Sequence, residues 1–306
     1  MGTTYQVTIV HPSSQTSLST IQAKTEQILA RINSSMSTYQ VDSELSQFNR
    51  NQTTQWVSVS PDLHRVVKEA LRVGTLSDGA FDVSVGPIVD LWGFGPTPRH
   101  NTIPSEETIH SRLQIIGYDH LHVQDDPPAI RKEIPALSVD LSAIAKGYAV
   151  DQVAEYLASL DLTNYLVEIG GELRAHGRNA HGVPWNVAIE QPMSTKRTIH
   201  RLVRLDNHSV ATSGDYRNFF ERDGTRFSHT INPTTGKPVT HNLSSVTVIA
   251  ESSMNADALA TALLVLGPEE GFELAEQEQV ASLFLIMDDE GFREKATTTF
   301  TQYSES

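Results

Sequence analysis

Apolar residues recur along the chain at two spacings, and each predicts an element. Ile21, Ala23, Ile28, Leu29 and Ile32 fall mostly on one face of a helix running near Ile21 to Ile32. Asp42-Ser43-Glu44-Leu45 reads as a short capped helix. Leu63, Val66, Val67, Ala70, Leu71 and Val73 form the buried stripe of a helix that starts at Pro61, with Ser60 as its N-cap. Ser105 to Ile115 predicts another helix. Ser142 to Leu160 predicts a long one, with Ile144, Val150, Val153, Ala154 and Leu157 inward. Ser253 to Leu266 predicts a further helix, which Gly267-Pro268 stops before a last one reaching about Glu276. Alternation or short apolar runs predict strands at Tyr5–Val10, Tyr118–Val123, Ala136–Asp140, Tyr165–Ile169, Glu172–Ala175, Trp185–Ile189, Leu202–Leu205, Ser209–Thr212, Ser245–Ala250 and Ala281–Met287. The glycines, prolines and aromatics between Asp78 and Pro96 predict a shaped loop, and Asp125 to Pro128 a turn.

This order gives an α+β fold class, with mixed β-sheets packed with helices. The 306 residues allow one large domain or two intimate lobes, and no linker marks a boundary, so residues 1–306 are taken as one domain. No apolar run approaches the ~18 residues of a membrane helix. The absence of cysteine excludes disulfides, thiolate metal sites and a cysteine nucleophile. The net charge of −14 argues against nucleic acid as a partner, since phosphate neutralisation needs a basic surface. It leaves room for one phosphate-bearing small molecule if a metal ion or local donors offset the repulsion. The signatures of P-loop NTPases, Rossmann dehydrogenases, zincins and α/β-hydrolases are all missing. His120 and His122, two apart, fit a half-exposed strand better than a metal site.

Three segments carry candidate chemistry. In Ala256 to Leu263, Asp257 and Thr261 lie four apart and share a helix face, offering two hard oxygens of the kind Mg²⁺ prefers; a dipole-favoured Asp and a solvent-facing Thr would give the same pattern. In Val139 to Asp151, Asp140 precedes a helix N-terminus able to receive an anion, with Lys146 about one turn in. In Phe227 to Val239, His229 is either a general base or a histidine bonded in a hairpin. Gly170-Gly171 adds a pair suited to close approach after a strand.

The order of the blocks is more specific than any one of them. Met-Gly-Thr at the start is followed by Ser-Thr-Tyr (37–39), Gly-Ala-Phe-Asp (79–82) and Trp-Gly-Phe-Gly-Pro (92–96). Asp-Leu-Ser-Ala-Ile-Ala-Lys-Gly-Tyr (140–148), Gly-Gly-Glu-Leu (170–173) and Thr-Ser-Gly-Asp-Tyr-Arg (212–217) come next. His-Thr-Ile-Asn-Pro-Thr-Thr-Gly (229–236) and Ala-Asp-Ala-Leu-Ala-Thr (256–261) complete the series. From Met1 to about residue 300 the chain resembles the ApbE family of FAD:protein FMN transferases.

The resemblance implies an ApbE-like flavin transferase fold and a Mg²⁺-dependent enzyme. Such an enzyme moves FMN from FAD onto a Thr or Ser hydroxyl of an acceptor protein and releases AMP. FAD hydrolysis to FMN and AMP is one alternative, and a non-enzymatic FAD carrier another. Carried over position by position, the flavin site comprises Met1, Tyr39, Ala80, Phe81, Asp82, Asp140, Lys146 and Ile231. The metal falls to Asp257, Thr261 and the backbone carbonyl of Ala143, and His229 matches the catalytic histidine. Tyr39 and Phe81 would offer rings to the isoalloxazine or adenine. Ala260 stands where some members carry a metal-ligating acid, leaving that place to a water; Lys146 stands where others have Glu, and Asn232 where Asp is frequent. The implied acceptors are subunits of membrane redox complexes. The implied setting is the bacterial periplasm, with a lipid anchor on the inner membrane attached before the Met-Gly-Thr segment.

Overall fold

A computed structural model describes residues 2–10, 17–95, 103–192, 198–214, 219–222, 225–288 and 291–303. Met1, Pro96 and residues 215–217 of the quoted blocks lie outside them. The chain begins with β1 (Tyr5–Ile9), α1 (Leu18–Met36), α2 (Glu44–Arg50), β2 (Val57–Ser58), α3 (Pro61–Leu76), α4 (Gly86–Leu91) and α5 (Glu106–Leu113). It continues through β3 (Leu121–Gln124), β4 (Ala129–Lys132), α6 (Ala145–Ser159), β5 (Tyr165–Ile169), β6 (Glu172–His176), β7 (Trp185–Glu190), β8 (Ile199–Leu205) and β9 (Ser209–Gly214). Then come β10 (Phe219–Arg222), β11 (Thr225–Ser228), β12 (Ile231–Asn232), β13 (Lys237–Pro238), β14 (Leu243–Ala250), α7 (Ser253–Leu266), α8 (Glu270–Gln277), β15 (Ala281–Asp288) and β16 (Gly291–Ala296).

The chain divides into two compact units. One comprises Met1–Arg31, Ile144–Tyr216 and Asn242–Ser306; the other comprises Ile32–Ala143 and Arg217–His241. The first is built on a seven-stranded sheet in the order β1-β5-β6-β9-β14-β15-β16. The fold is α+β as predicted, but neighbouring strands of this sheet pair antiparallel throughout rather than in mixed senses. The connections explain this. A single crossover helix returns a chain parallel, whereas β14 and β15 are joined by two helices. β5 and β6 are joined by Gly170-Gly171 alone, with Ile169 opposite Glu172. Both glycines have positive φ, +64° and +106°, as the tight turn of a two-residue hairpin requires. β14 is buried from Leu243 to Ile249, so it is covered on both faces. The β7–β8 hairpin contributes Trp185, Val187, Ile189, Val203 and Leu205 to a core with Leu173, Val210, Leu283 and Phe300. α7 packs against β9, β14 and α6, and its apolar side chains are buried nearly all round, as a central helix requires.

The second unit holds α2 to α5 and the small sheet β2-β4-β3. Three of its helix starts are capped by serines, Ser60 as predicted: Ser43 accepts from Ser46 N, Ser60 from Leu63 N and Ser105 from Thr108 N. The predicted strand Ala136–Asp140 is absent. Leu137 and Val139 are buried in alternation, but no strand pairs with them. The Asn49 side chain takes that role, accepting from Val139 N and donating to Val139 O, both at 2.8 Å. Asp140 N donates to Val83 O at 2.7 Å. The loop expected over Asp78 to Pro96 contains α4. His120 and His122 both reach Glu133, at 3.2 and 2.8 Å, and are partners of that carboxylate.

Candidate active site

In the first unit, α6 and α7 are clasped by two carboxylates, each seated at the other helix's N-terminus. Ile144 caps α6 without a side-chain hydrogen bond. Asp257 of α7 supplies the missing acceptor: Gly147 N donates to its Oδ2 at 3.0 Å. Asp151 of α6 accepts from Ser253 N (3.0 Å), Met254 N (2.9 Å) and Ser252 Oγ (2.7 Å) at the start of α7, and from Arg174 Nη1 at 2.7 Å. Both aspartates are buried. Each carboxylate is favoured by the positive end of the partner helix. Thr261 lies one turn along α7 from Asp257, as its spacing predicts, and its Oγ1 is 3.0 Å from Ser213 Oγ of β9.

The Lys146 ammonium stands between two buried carboxylates. Its Nζ is 3.2 Å from Glu172 Oε1 and 3.4 and 3.5 Å from the two oxygens of Asp257. Burial pulls the Lys146 amine down, but Asp257 and Glu172 outweigh it and hold it above the ordinary lysine range. Burial and the Asp257 charge push Glu172 up to about 8, despite the pull of Lys146. Glu172 Oε2 is buried without a hydrogen-bond partner. The Gly170-Gly171 turn places Glu172 here; a Cβ on Gly170 would meet the Thr3 side chain at 2.9 Å before it reached Lys146 Cδ at 3.4 Å.

Hard oxygens dominate this cluster. Asp257 and Thr261 can hold a hard divalent cation that keeps waters or takes phosphate oxygens in its other positions. Among the described residues no group of three or more His, Cys, Asp or Glu side chains could hold a metal by itself. Ala143, whose carbonyl is the third expected ligand, is half-buried in the turn before α6 and belongs to the second unit. Ala260, on the same helix as Asp257 and Thr261, is wholly buried.

In the second unit, Asp82 is pinned by the loop it organises. Its Oδ1 accepts from Ser84 N (2.7 Å) and Ser84 Oγ (2.6 Å), and its Oδ2 from Tyr118 N (3.1 Å). Ser84 Oγ accepts in turn from Gly117 N at 2.7 Å. Burial raises the Asp82 carboxyl even so. Asp140 accepts from Ser142 N and Oγ, and its own N–H on Val83 O ties this segment to the Gly-Ala-Phe-Asp block. Ala80 is buried, and Phe81 is 2% exposed, so the ring expected as a stacking edge is core. Ile231 is also core, packed with Ile88, Trp92, Ile109 and Ile116. Tyr39, by contrast, is 72% exposed and its ring is open to a ligand.

His229 follows β11 in a turn where Thr230 N donates to Ser228 Oγ at 3.0 Å. It is half-buried, with its ring edge-on to Phe94 at 6.2 Å between centroids. The β12–β13 hairpin beyond it is fixed by Asn232 Oδ1, which accepts from Thr234 and Thr235 N, and by Trp92 Nε1 donating to Gly236 O at 2.8 Å. The Trp-Gly-Phe-Gly and His-Thr-Ile-Asn blocks therefore meet within this unit, where Trp92 also stacks on Phe227.

A family model described as the ApbE family matches residues 1–284. The FAD:protein FMN transferase of Vibrio cholerae serotype O1 is 45% identical over 303 residues, covering 99% of this chain and 90% of that protein. The chain belongs to the ApbE family. The FAD:protein FMN transferase of Haemophilus influenzae is 44% identical, covering 100% of this chain and 90% of that protein. Among solved ApbE structures, the flavin transferase ApbE from Vibrio cholerae superposes with a TM-score of 0.92 at 44% identity, covering 99% of this chain and 96% of that one. The apo form of Pseudomonas stutzeri flavinyl transferase ApbE gives 0.91 at 40% identity, covering 100% and 95%.

Three residues of this ApbE chain's cluster escape a reading by motif position. Glu172 lies inside the Gly-Gly-Glu-Leu block, where the glycines draw the attention; the available signal was an acid at the first residue of a strand, directly after a glycine turn. Asp151 ends the Val139–Asp151 segment and looks like an ordinary helical acid until its partners on α7 are known. Ser213 carries no local signal beyond its place in the Thr-Ser-Gly block.

Proposed function

We propose that this chain is a Mg²⁺-dependent FAD:protein FMN transferase. It moves the FMN half of FAD onto a Thr or Ser hydroxyl of an acceptor protein and releases AMP. The observation that carries the reading is a buried carboxylate, Asp257, one helical turn from the Thr261 hydroxyl, in a chain of the ApbE family. Asp257, Thr261 and the Ala143 carbonyl would hold the metal. When bound, Mg²⁺ supplies positive charge against the pyrophosphate and against the AMP phosphate as it leaves. The acceptor hydroxyl oxygen forms a bond to the FMN-side phosphorus as the bond from that phosphorus to the bridging oxygen breaks, and AMP departs with that oxygen. His229 takes the hydroxyl proton. Lys146 adds a positive charge toward the anionic substrate, and the exposed Tyr39 ring stacks on an aromatic part of FAD. Met1, Ala80, Phe81, Asp82, Asp140 and Ile231 complete the proposed flavin positions, with Phe81 and Ile231 acting from the core rather than as platforms.

The same reading carries the family's setting. The acceptors are subunits of membrane redox complexes, met in the bacterial periplasm by an enzyme lipid-anchored to the inner membrane. The resemblance supports this setting; recovery of the native gene product in the membrane fraction with a lipidated N-terminal residue would test it, and a lipid-free native product would refute it.

The reaction is tested by following FAD and AMP chromatographically, with a threonine-bearing acceptor domain of such a subunit present. AMP appears with Mg²⁺ and not with EDTA. Asp257→Ala abolishes that turnover while FAD still binds. His229→Ala leaves FAD binding nearly intact and slows transfer by about 10²–10⁴-fold, the usual share of a general base. Unchanged turnover in Asp257→Ala refutes the metal assignment; unchanged turnover in His229→Ala puts the base elsewhere.

A further inference from the structure

We infer that Lys146 is an internal cation that sits in the metal's place on Asp257 when no metal is bound, and that Glu172 retains its ammonium when the metal arrives. This rests on the proposed metal role of Asp257. Lys146 Nζ lies nearly equidistant from both Asp257 oxygens, at 3.4 and 3.5 Å. It straddles that carboxylate as a counter-ion does. The same nitrogen is closer to Glu172 Oε1, at 3.2 Å, so the ammonium is already shared. Glu172 is 4% exposed, and its second oxygen has no partner. A buried carboxyl oxygen without a partner is costly, and here it belongs to the group that the Lys146 ammonium already touches. Asp257 cannot follow the lysine, because Gly147 N–H holds its Oδ2 at 3.0 Å. The lysine can move, because its ammonium is carried on a flexible four-carbon stem and its side chain is 30% exposed.

A buried Asp257 carboxylate without a cation would burden the α6–α7 clasp. Lys146 neutralises Asp257 in the metal-free protein, and the metal displaces it by a small swing toward Glu172. Both states are then charge-compensated. The metal therefore binds by exchange with an internal ammonium, and Glu172 is a positioning residue that sets how readily the exchange occurs.

The test is Mn²⁺ binding to the flavin-free full chain, read from the electron paramagnetic resonance signal of free Mn²⁺. It compares wild type, Asp257→Asn, Lys146→Met, Glu172→Gln and the double variant Lys146→Met/Glu172→Gln. Lys146→Met removes the competitor and tightens Mn²⁺ roughly tenfold or more, the scale of one close unit charge. It also lowers the metal-free melting temperature and enlarges the rise that Mn²⁺ produces. Glu172→Gln weakens Mn²⁺ in the wild-type background but not in the Lys146→Met background, because its effect passes through the lysine. Equal weakening in both backgrounds, or unchanged affinity in Lys146→Met, overturns the exchange. Wild type and Asp257→Asn binding alike, including not at all, overturns the underlying metal reading instead. Lys146→Gln replaces Lys146→Met, with the same expectation, if the latter does not give a wild-type circular dichroism spectrum.

Discussion

Replacing Gly147 with alanine sets two opposed effects against each other at the α6–α7 crossing. Glycine inside a helix costs ~1 kcal/mol relative to alanine, so propensity alone predicts a gain. The crossing predicts a larger loss. A Cβ on Gly147 would lie 2.2 Å from Ser253 O, 2.6 Å from Ser253 C and 2.7 Å from Met254 Cα, all backbone atoms of α7's first turn. Ordinary contact begins at 3.4 Å, so the helices must part by about 1 Å. α7 cannot retreat freely, because Asp151 grips Ser253 N and Met254 N at 3.0 and 2.9 Å. Overpacking costs ~1–3 kcal/mol, and each buried bond stretched beyond use costs ~1–3 kcal/mol more. The net expectation is a loss of about 2–4 kcal/mol, after the propensity gain is subtracted. Parting the helices also draws Asp257 off the Gly147 N–H, so Mn²⁺ affinity falls in the same variant. Urea denaturation of Gly147→Ala beside Gly86→Ala is the assay; the comparator's Cβ meets nothing nearer than 3.6 Å and is expected to be close to neutral. A Gly147→Ala protein as stable as wild type, or more stable, refutes the close crossing.

Asp151→Asn leaves Arg174 without its carboxylate and turns an amide toward one of the α7 donors; it should cost ~2–4 kcal/mol in urea denaturation, and a loss below ~0.5 kcal/mol would deny Asp151 its role in the clasp. Glu172, held up to about 8 against an ordinary 4.5, binds a proton more readily folded than unfolded, so metal-free stability should fall as pH rises through this window. The slope reaches at most ~1.4 kcal/mol per pH unit, and Glu172→Gln should flatten it; an equal slope in both proteins contradicts the shift. Asn49→Ala removes both partners of the Val139 peptide and should cost ~2–4 kcal/mol, measurable by thermal denaturation; a neutral outcome would mean that Asn49 is not standing in for a strand.

The legible parts of the fold were those whose causes are local. α7 spans Ser253–Leu266 as predicted because Ser252 caps it and Gly267 ends it. β5 was found whole because its alternation and the glycine turn agree. α4 was missed because six residues, GPIVDL, are too few to show a period and sit among loop signals. Ala136–Asp140 misled because its alternation is real but its hydrogen-bond partner is a side chain from ninety residues away. The same division holds at the site. Asp257 and Thr261 were visible as a spacing on one helix. Glu172 joins them only through a sheet hairpin and a lysine on another helix, which no local pattern encodes. Phe81 was expected to offer its ring because aromatic rings stack on flavins, but packing decides which ring is exposed, and here it is Tyr39.

The most direct test of the proposed transfer is the intact mass of a threonine-bearing acceptor domain after incubation with this chain, FAD and Mg²⁺, with AMP measured in the same tube. The account predicts an acceptor heavier by one FMN, with one AMP released per acceptor modified. An unmodified acceptor alongside free FMN and AMP would contradict it in favour of hydrolysis, and FAD recovered intact would contradict it altogether.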